Sequence, residues 1–358
     1  THFGRSGSGL LHSLIDGHPE VSTLPSIYFS QFFDHSNWIK ITSGGWNKIP
    51  QHFMEIYEVL FDASARMAIE TKSKKLIYSL GKKEGMANLG EHKNEVLVLN
   101  KKRFSSALSQ LMNDCDELDA FKFFKLVHAA YDKAIYDHQQ KTLLFYHIHN
   151  PDIHAQVNFL GLSSNVFWVL TVREPLQSCE SWLLEDFKRD DYDTLTKKMF
   201  QILFEIDNVI YQEHESVGVR LEDLKENPKK TIPALCKWMG VRETKSLYEM
   251  TAQGKKWWGD PSSPDFMKDG MNPFGNTSIR RNVGLIFSEN DQFILQTLFY
   301  PFCVQFGYVQ ENLKQFKRNL RAIKPMLSQM FDFEKLLADR TLVKHAQFME
   351  TGSFLYLR

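Results

Sequence analysis

The sequence predicts an α/β fold in which helices flank a central parallel sheet. Three observations carry this. Leu143–Tyr146, Val166–Val172 and Ser216–Arg220 are apolar runs without strict alternation, the pattern of strands buried on both faces. Stretches of helical periodicity separate them. Each run ends in polar residues: His147-Ile148-His149-Asn150-Pro151, Arg173-Glu174-Pro175 and Arg220-Leu221-Glu222-Asp223. Open α/β sheets bind ligands at these carboxyl ends.

The elements follow in order. Residues 4–9 read Gly-Arg-Ser-Gly-Ser-Gly, and Leu10, Leu11, Leu14 and Ile15 then start a helix that Gly17-His18-Pro19 ends. Residues 26–140 read as a mainly helical, aromatic-rich insertion with one strand candidate, Glu95–Leu99. Within it Phe121–His138 is amphipathic. After the third strand, Leu235–Met239 closes a helix, and 254–278 is a loop rich in Gly, Pro, Asn and Ser. Phe287–Phe306 is a helix broken near Pro301. Residues 311–358 read as a C-terminal helical extension, which leaves 1–310 as the main domain.

Composition bounds the function. The chain has 358 residues, 43% of them hydrophobic, enough for a large core. Lys+Arg and Asp+Glu are both 43, so the balanced charge speaks against a long nucleic acid as partner. The four cysteines are scattered, which predicts no structural zinc and a reducing, cytoplasmic setting. No apolar run nears the roughly 18 residues that span a membrane, and no signal peptide is expected. The chain reaches its glycine-rich loop almost at once, so upstream sequence is expected.

The opening loop is built for an anion. Amides ahead of a helix N-terminus cradle negative charge, and the helix dipole helps. Gly7 and Gly9 permit close approach, Arg5 adds a charge, and Ser6 and Ser8 add hydroxyls. A Walker A loop would follow its last glycine with Lys-Ser/Thr, and here Leu10-Leu11 stands there. Arg173 closes the strongest strand and Ser181 lies eight residues on, a fork and a hydroxyl suited to a second phosphate. Trp257-Trp258 beside Lys255-Lys256 reads equally as a ligand-stacking pair or a loop anchor. The aromatics from Tyr28 to Trp46 read as core packing.

Together these motifs resemble the sulfotransferase family that uses 3′-phosphoadenosine-5′-phosphosulfate (PAPS), closest to its bacterial and carbohydrate-type branches. Arg5–Ser8 with Leu11–Glu20 is similar to the family's 5′-phosphosulfate loop, and Val172–Pro175 with Ser178 and Ser181 to its 3′-phosphate motif. Arg220–Leu224, Asn227-Pro228 and Leu235–Gly240 resemble a downstream signature. The resemblance spans about residues 2–310 and implies a P-loop-like sheet.

It also implies roles. Arg5 would stabilise the leaving phosphate, and Ser6, Gly7, Ser8 and Gly9 would hold the 5′ end. Arg173 and Ser181 would hold the 3′-phosphate, and Arg280-Arg281 would close over the nucleotide. His149 would be the general base, with His147 beside it as the alternative. Leu10 stands where the cytosolic branch has an adenine-stacking tryptophan. The donor would be PAPS, the product adenosine 3′,5′-bisphosphate, and the acceptor a small-molecule or saccharide hydroxyl. No metal is expected. A P-loop nucleotide kinase, or a non-catalytic anion-binding module of the same fold, are the rival readings.

Overall fold

A computed structural model describes residues 5–25, 32, 34–70, 75–135, 140–148, 153–162, 165–206, 208, 210–261, 266, 270–275 and 283–341. In chain order the elements are α1 (Ser8–Asp16), β1 (Val21–Thr23), α2 (His35–Thr42), α3 (Ile49–Ile56), β2 (Met67–Glu70), β3 (Lys75–Tyr78), α4 (Leu80–Lys83), α5 (Lys101–Asn113) and α6 (Ala120–Ala134). There follow β4 (Leu143–Phe145), α7 (Ile153–Leu162), β5 (Trp168–Val172), α8 (Pro175–Lys188), α9 (Tyr192–Ile206), α10 (Ile210–Glu213), β6 (Ser216–Arg220), α11 (Leu221–Glu226) and α12 (Pro228–Met239). The last are β7 (Thr251–Ala252), β8 (Lys255–Lys256), α13 (Glu289–Leu298), α14 (Tyr300–Gln305), α15 (Leu313–Ile323) and α16 (Asp332–Thr341).

The three predicted strands form, and their pairing is parallel. β1 pairs with β4 in register Val21↔Leu143, and β5 pairs with β6 in register Trp168↔Ser216 through Val172↔Arg220. Among the described residues there are four two-stranded sheets, the other two being the antiparallel hairpins β2–β3 and β7–β8.

The described part of the insertion departs from the expected pattern. The β2–β3 hairpin interrupts it, with Met67 opposite Tyr78. Its connecting residues, Thr71-Lys72-Ser73-Lys74, contain no Gly, Pro, Asn or Asp, so no turn signal marks it. Glu95–Leu99 makes only isolated bridges, Leu89↔Glu95 and Asp62↔Val98.

Packing divides the chain into two compact units. One comprises 1–7, 167–224 and 276–358, the other 8–166 and 225–275. In the first, Leu170 and Val172 of β5 pack with Leu176, Cys179 and Leu183 of α8, with α9 and α13, and with Ile323, Phe333 and Leu337 from the two last helices. The second is built on phenylalanine. Phe32, Phe53, Phe61, Phe104, Phe123 and Phe124 are all fully buried and stack or meet edge to face.

Helix ends follow local chemistry. Asn100 and Asp119 accept amide protons from Arg103 and Lys122 to start α5 and α6. Ser288 and Asp291 form a capping box on α13. Pro301 restarts the chain as α14 after Phe299, the expected break. No described helix is long and apolar enough to cross a membrane.

Candidate functional site

In the first unit, the opening loop is pinned to the strongest strand. Ser6 is buried and its hydroxyl donates to the Thr171 carbonyl at 2.6 Å. Its oxygen also lies 3.2 Å from the Thr171 hydroxyl. Arg5 adopts a left-handed φ of 54° and is exposed. Gly7 has a φ of +86°, and a Cβ there would sit 2.5 Å from Leu221 Cδ1. The loop therefore favours glycine at 7 for its left-handed backbone, and a side chain there would also have to displace the Leu221 methyl. Two residues beyond Thr171, Arg173 is buried at the end of β5.

The β5–β6 register decides what meets Arg173. Because Val172 pairs with Arg220, both strands end at the same level. The Glu174 amide donates to Glu222 Oε1 at 3.0 Å, and the Tyr308 hydroxyl donates to Glu222 Oε2 at 2.9 Å. Burial, with Glu222 nearby, pushes both the Glu174 carboxyl and the Tyr308 hydroxyl up. Arg220 forks onto Asp223 and donates to the Gly307 carbonyl, so its charge is already satisfied. A cleft of about 600 Å³ lies along β6, lined by Leu170, Tyr211, Gly218, Arg220, Asp223 and Phe306.

α8 uses its own N-terminus. Glu174 caps it by accepting from the Leu176 and Gln177 amides, and Pro175 opens the first turn. These amides are thus committed, and an anion at this helix would have to be held by side chains. Ser178 is fully buried and Ser181 half-buried, one turn apart on the same helix. Between them, on a different face of the helix, Glu180 is buried and accepts from the Gly284, Ile286 and Phe287 amides at 2.8–3.2 Å.

In the second unit, α1 begins at Ser8 with no acidic residue in its own first turn. Gly9 follows Ser8 in that turn. Leu10 is buried, so it presents no open face. Asp16 ends the helix and gathers three donors: the Thr23 and Thr251 hydroxyls and the Gly254 amide. These bonds fix α1 against β1 and the β7–β8 turn.

A buried histidine cluster lies beside α1. The rings of His12 and His147 are 5.6 Å apart, and Phe145 flanks His12. His128 Nδ1 lies 3.0 Å from the Ser22 hydroxyl, which donates to Asp132. Burial pushes His12 below the ordinary histidine value, against the pull of Asp16 and the Leu24 backbone. Burial, then the nearby His12, pushes His128 down to about 3. At neutral pH His128 is therefore a neutral imidazole. Among the described residues no His, Cys, Asp and Glu group is arranged to hold a metal.

The structure thus brings Arg5 and Ser6 of the predicted set into one unit with Arg173 and Ser181, and buries His147 next to His12. His149, Arg280 and Arg281 lie outside the described residues. Sequence reasoning missed the pairing of His12 with His147, the His128–Ser22–Asp132 chain and Glu180. The tryptophan pair resolves as an anchor: Trp257 is buried and donates to the Glu84 carbonyl, and Trp258 donates to the Gly90 carbonyl.

No protein-family model matches the chain, and no curated protein matches it. Among solved structures it is similar to the sulfotransferase domain from the Synechococcus PCC 7002 olefin synthase. The identity is 15% over 74% of this chain and 79% of that one, with a TM-score of 0.39. It is also similar to the sulfotransferase domain from the curacin biosynthetic pathway, at 15% identity over 83% of this chain and 95% of that one, with a TM-score of 0.45. Likeness of this degree assigns neither a family nor an activity.

Proposed function

We propose that the protein transfers a sulfuryl group from PAPS to an acceptor hydroxyl and releases adenosine 3′,5′-bisphosphate. The observation that supports this best is the Ser6–Thr171 hydrogen bond. It ties an arginine- and glycine-bearing loop to β5 only two residues before the buried Arg173. A ligand with an anion at each end suits such an arrangement, whereas a single-phosphate ligand would leave one feature unused.

The residues present fit that donor. Gly7 holds a left-handed backbone that side chains rarely adopt, Arg5 offers an exposed guanidinium, and Arg173 a buried one. Because Glu174 occupies the α8 amides, the 3′-phosphate would be held by Arg173 and Ser181 side chains. PAPS supplies an activated sulfuryl group, and such transfer is governed mostly by positioning and charge stabilisation. Arg5 would stabilise negative charge on the leaving phosphate. His149 would accept the proton of the acceptor hydroxyl. His147, buried against His12, would shape the strand end that carries it.

Titration calorimetry with adenosine 3′,5′-bisphosphate, AMP and ATP tests the donor site, and radiolabelled PAPS with an acceptor panel tests turnover. The bisphosphate is expected to bind preferentially, and Arg173→Lys to erase the preference because a point charge cannot replace a fork. Equal affinity for all three nucleotides would overturn the reading. Selective binding without transfer to any acceptor would support a non-catalytic module instead.

A further inference from the structure

α15 has an outward face that the unit's own packing does not explain. Its inner side is fully engaged. Ile323 is completely buried, Phe316 stacks on Tyr300 with ring centroids 4.4 Å apart, and the Asn312 amide donates to the Tyr300 hydroxyl. Asn312 caps the helix by accepting from Gln315. The helix is therefore held firmly in one orientation.

The opposite side carries Lys314, Lys317, Arg318 and Arg321, with Lys324 just beyond the last turn. All five are exposed. The sequence has no acidic residue between Glu311 and Asp332. Among the described residues none of the five cations has an ion pair. In a chain of zero net charge this is a local excess of five positive charges within eleven residues. Beside the cations, on one line two turns apart, Leu313 is 53% and Leu320 38% exposed.

We propose that α15 is a docking face for an anionic lipid bilayer. Unpaired cations beside exposed leucines on a rigid helix are the composition of an interfacial helix. Lysine and arginine stems reach past the leucines, so the charged heads can meet headgroups while the leucines enter the interface. A helix docking into a protein groove uses a full apolar stripe. Here half of that stripe, Phe316 and Ile323, is committed to the unit's own core. A nucleic acid would have no use for the leucines. The cations also spread over a broad arc, which suits a diffuse anionic surface better than a keyed partner.

Vesicle sedimentation of the full chain tests this, with phosphatidylcholine vesicles containing or lacking phosphatidylserine. Binding is expected only with phosphatidylserine and should fall as salt rises. The Lys317→Gln, Arg318→Gln, Arg321→Gln variant should weaken it roughly a hundredfold, about a factor of five per charge. Leu313→Ser with Leu320→Ser should weaken it several-fold, and Lys314→Arg with Lys317→Arg should retain it. All substituted side chains are exposed, and circular dichroism checks each fold. The proposal is overturned if the vesicles bind equally with and without phosphatidylserine. It is also overturned if soluble polyglutamate binds as tightly and the leucine pair has no effect, the signature of an acidic polypeptide partner.

Discussion

The two compact units organise their interiors by different chemistry. In the unit built on β5, β6 and the last four helices, buried carboxylates catch backbone amides. Glu180 takes those of Gly284, Ile286 and Phe287, Asp291 takes those of Asp332 and Phe333, and Glu334 takes that of Phe331. In the unit built on α1, β1 and β4, phenylalanine rings fill the core, and the buried polar groups are mostly histidines and hydroxyls, joined by Gln156 and Lys225. A carboxylate that receives amides can hold a loop in place from one side chain. Ring packing holds helices together but prescribes no loop path. The loop carrying Arg5 is likewise tied by a directed hydrogen bond, from Ser6 to the Thr171 carbonyl, and His147 packs against the His12 ring.

The largest expected effect breaks the ring-packed unit. Phe53 is fully buried and touches Phe32, Tyr57, Phe61, Phe104 and Phe123. Phe53→Ala should lower unfolding free energy by about 3–5 kcal/mol. Urea denaturation measures this, and a loss below about 1 kcal/mol would mean that this core is loosely packed.

Next comes the carboxylate-organised unit. Glu180→Ala would leave buried amides without their acceptor, at a cost of about 3 kcal/mol. Hydrogen exchange should rise at Gly284, Ile286 and Phe287 and stay unchanged around Phe53. A uniform rise across both units would erase the distinction drawn between them.

The pH response should separate the units by sign. His128 is held near 3 in the folded chain against an ordinary 6.5, so below pH 6.5 the unfolded chain binds the additional proton. Its stabilising contribution is complete above pH 6.5 and is lost as pH falls toward 3, by up to about 1.4 kcal/mol per pH unit. Glu174, Asp291 and Glu334 are pushed up mainly by burial, so the folded chain takes their protons first on acidification. Their contribution runs the other way: present at low pH, lost as pH rises through the folded values. Region-resolved hydrogen exchange at pH 7 and pH 5.5 should show the histidine unit loosening more. His128→Asn should flatten that response, and an unchanged profile would contradict it.

The smallest effect concerns the loop. Ser6→Ala removes the bond to Thr171 and should cost about 1 kcal/mol of stability. On the proposed function it should also weaken binding of adenosine 3′,5′-bisphosphate, while protection of the ring-packed unit stays unchanged. Unaltered nucleotide affinity would detach the loop from the site.

Local signals in the sequence carry much of this molecule. Apolar runs without alternation mark β4, β5 and β6, although only β5 has the burial that pattern implies; β4 is half-buried throughout and β6 buries Val219 but exposes Gly218. Glycine and leucine spacing marks α1, and Pro301 the break before α14. Arg5 and Arg173 are legible because a loop feeding a helix and a strand's carboxyl end are recognisable from neighbours alone.

Tertiary structure decided the rest, since it depends on residues far apart in the chain. Ser22 and His128 are 106 positions apart, yet β1 and α6 bring them into contact. His12 reads as one polar position in an apolar helix until β4 places His147 beside it. Glu180 reads as one more charge on α8 until the turn at Gly284 delivers its amides. The helices after residue 310 carry charged periodicity that suggests an appendage, but Ile323, Phe333 and Leu337 complete a core begun by β5. Periodicity reports which face of an element is apolar. Which partner covers that face, and whether a buried polar group finds its donor, is determined only when the elements pack.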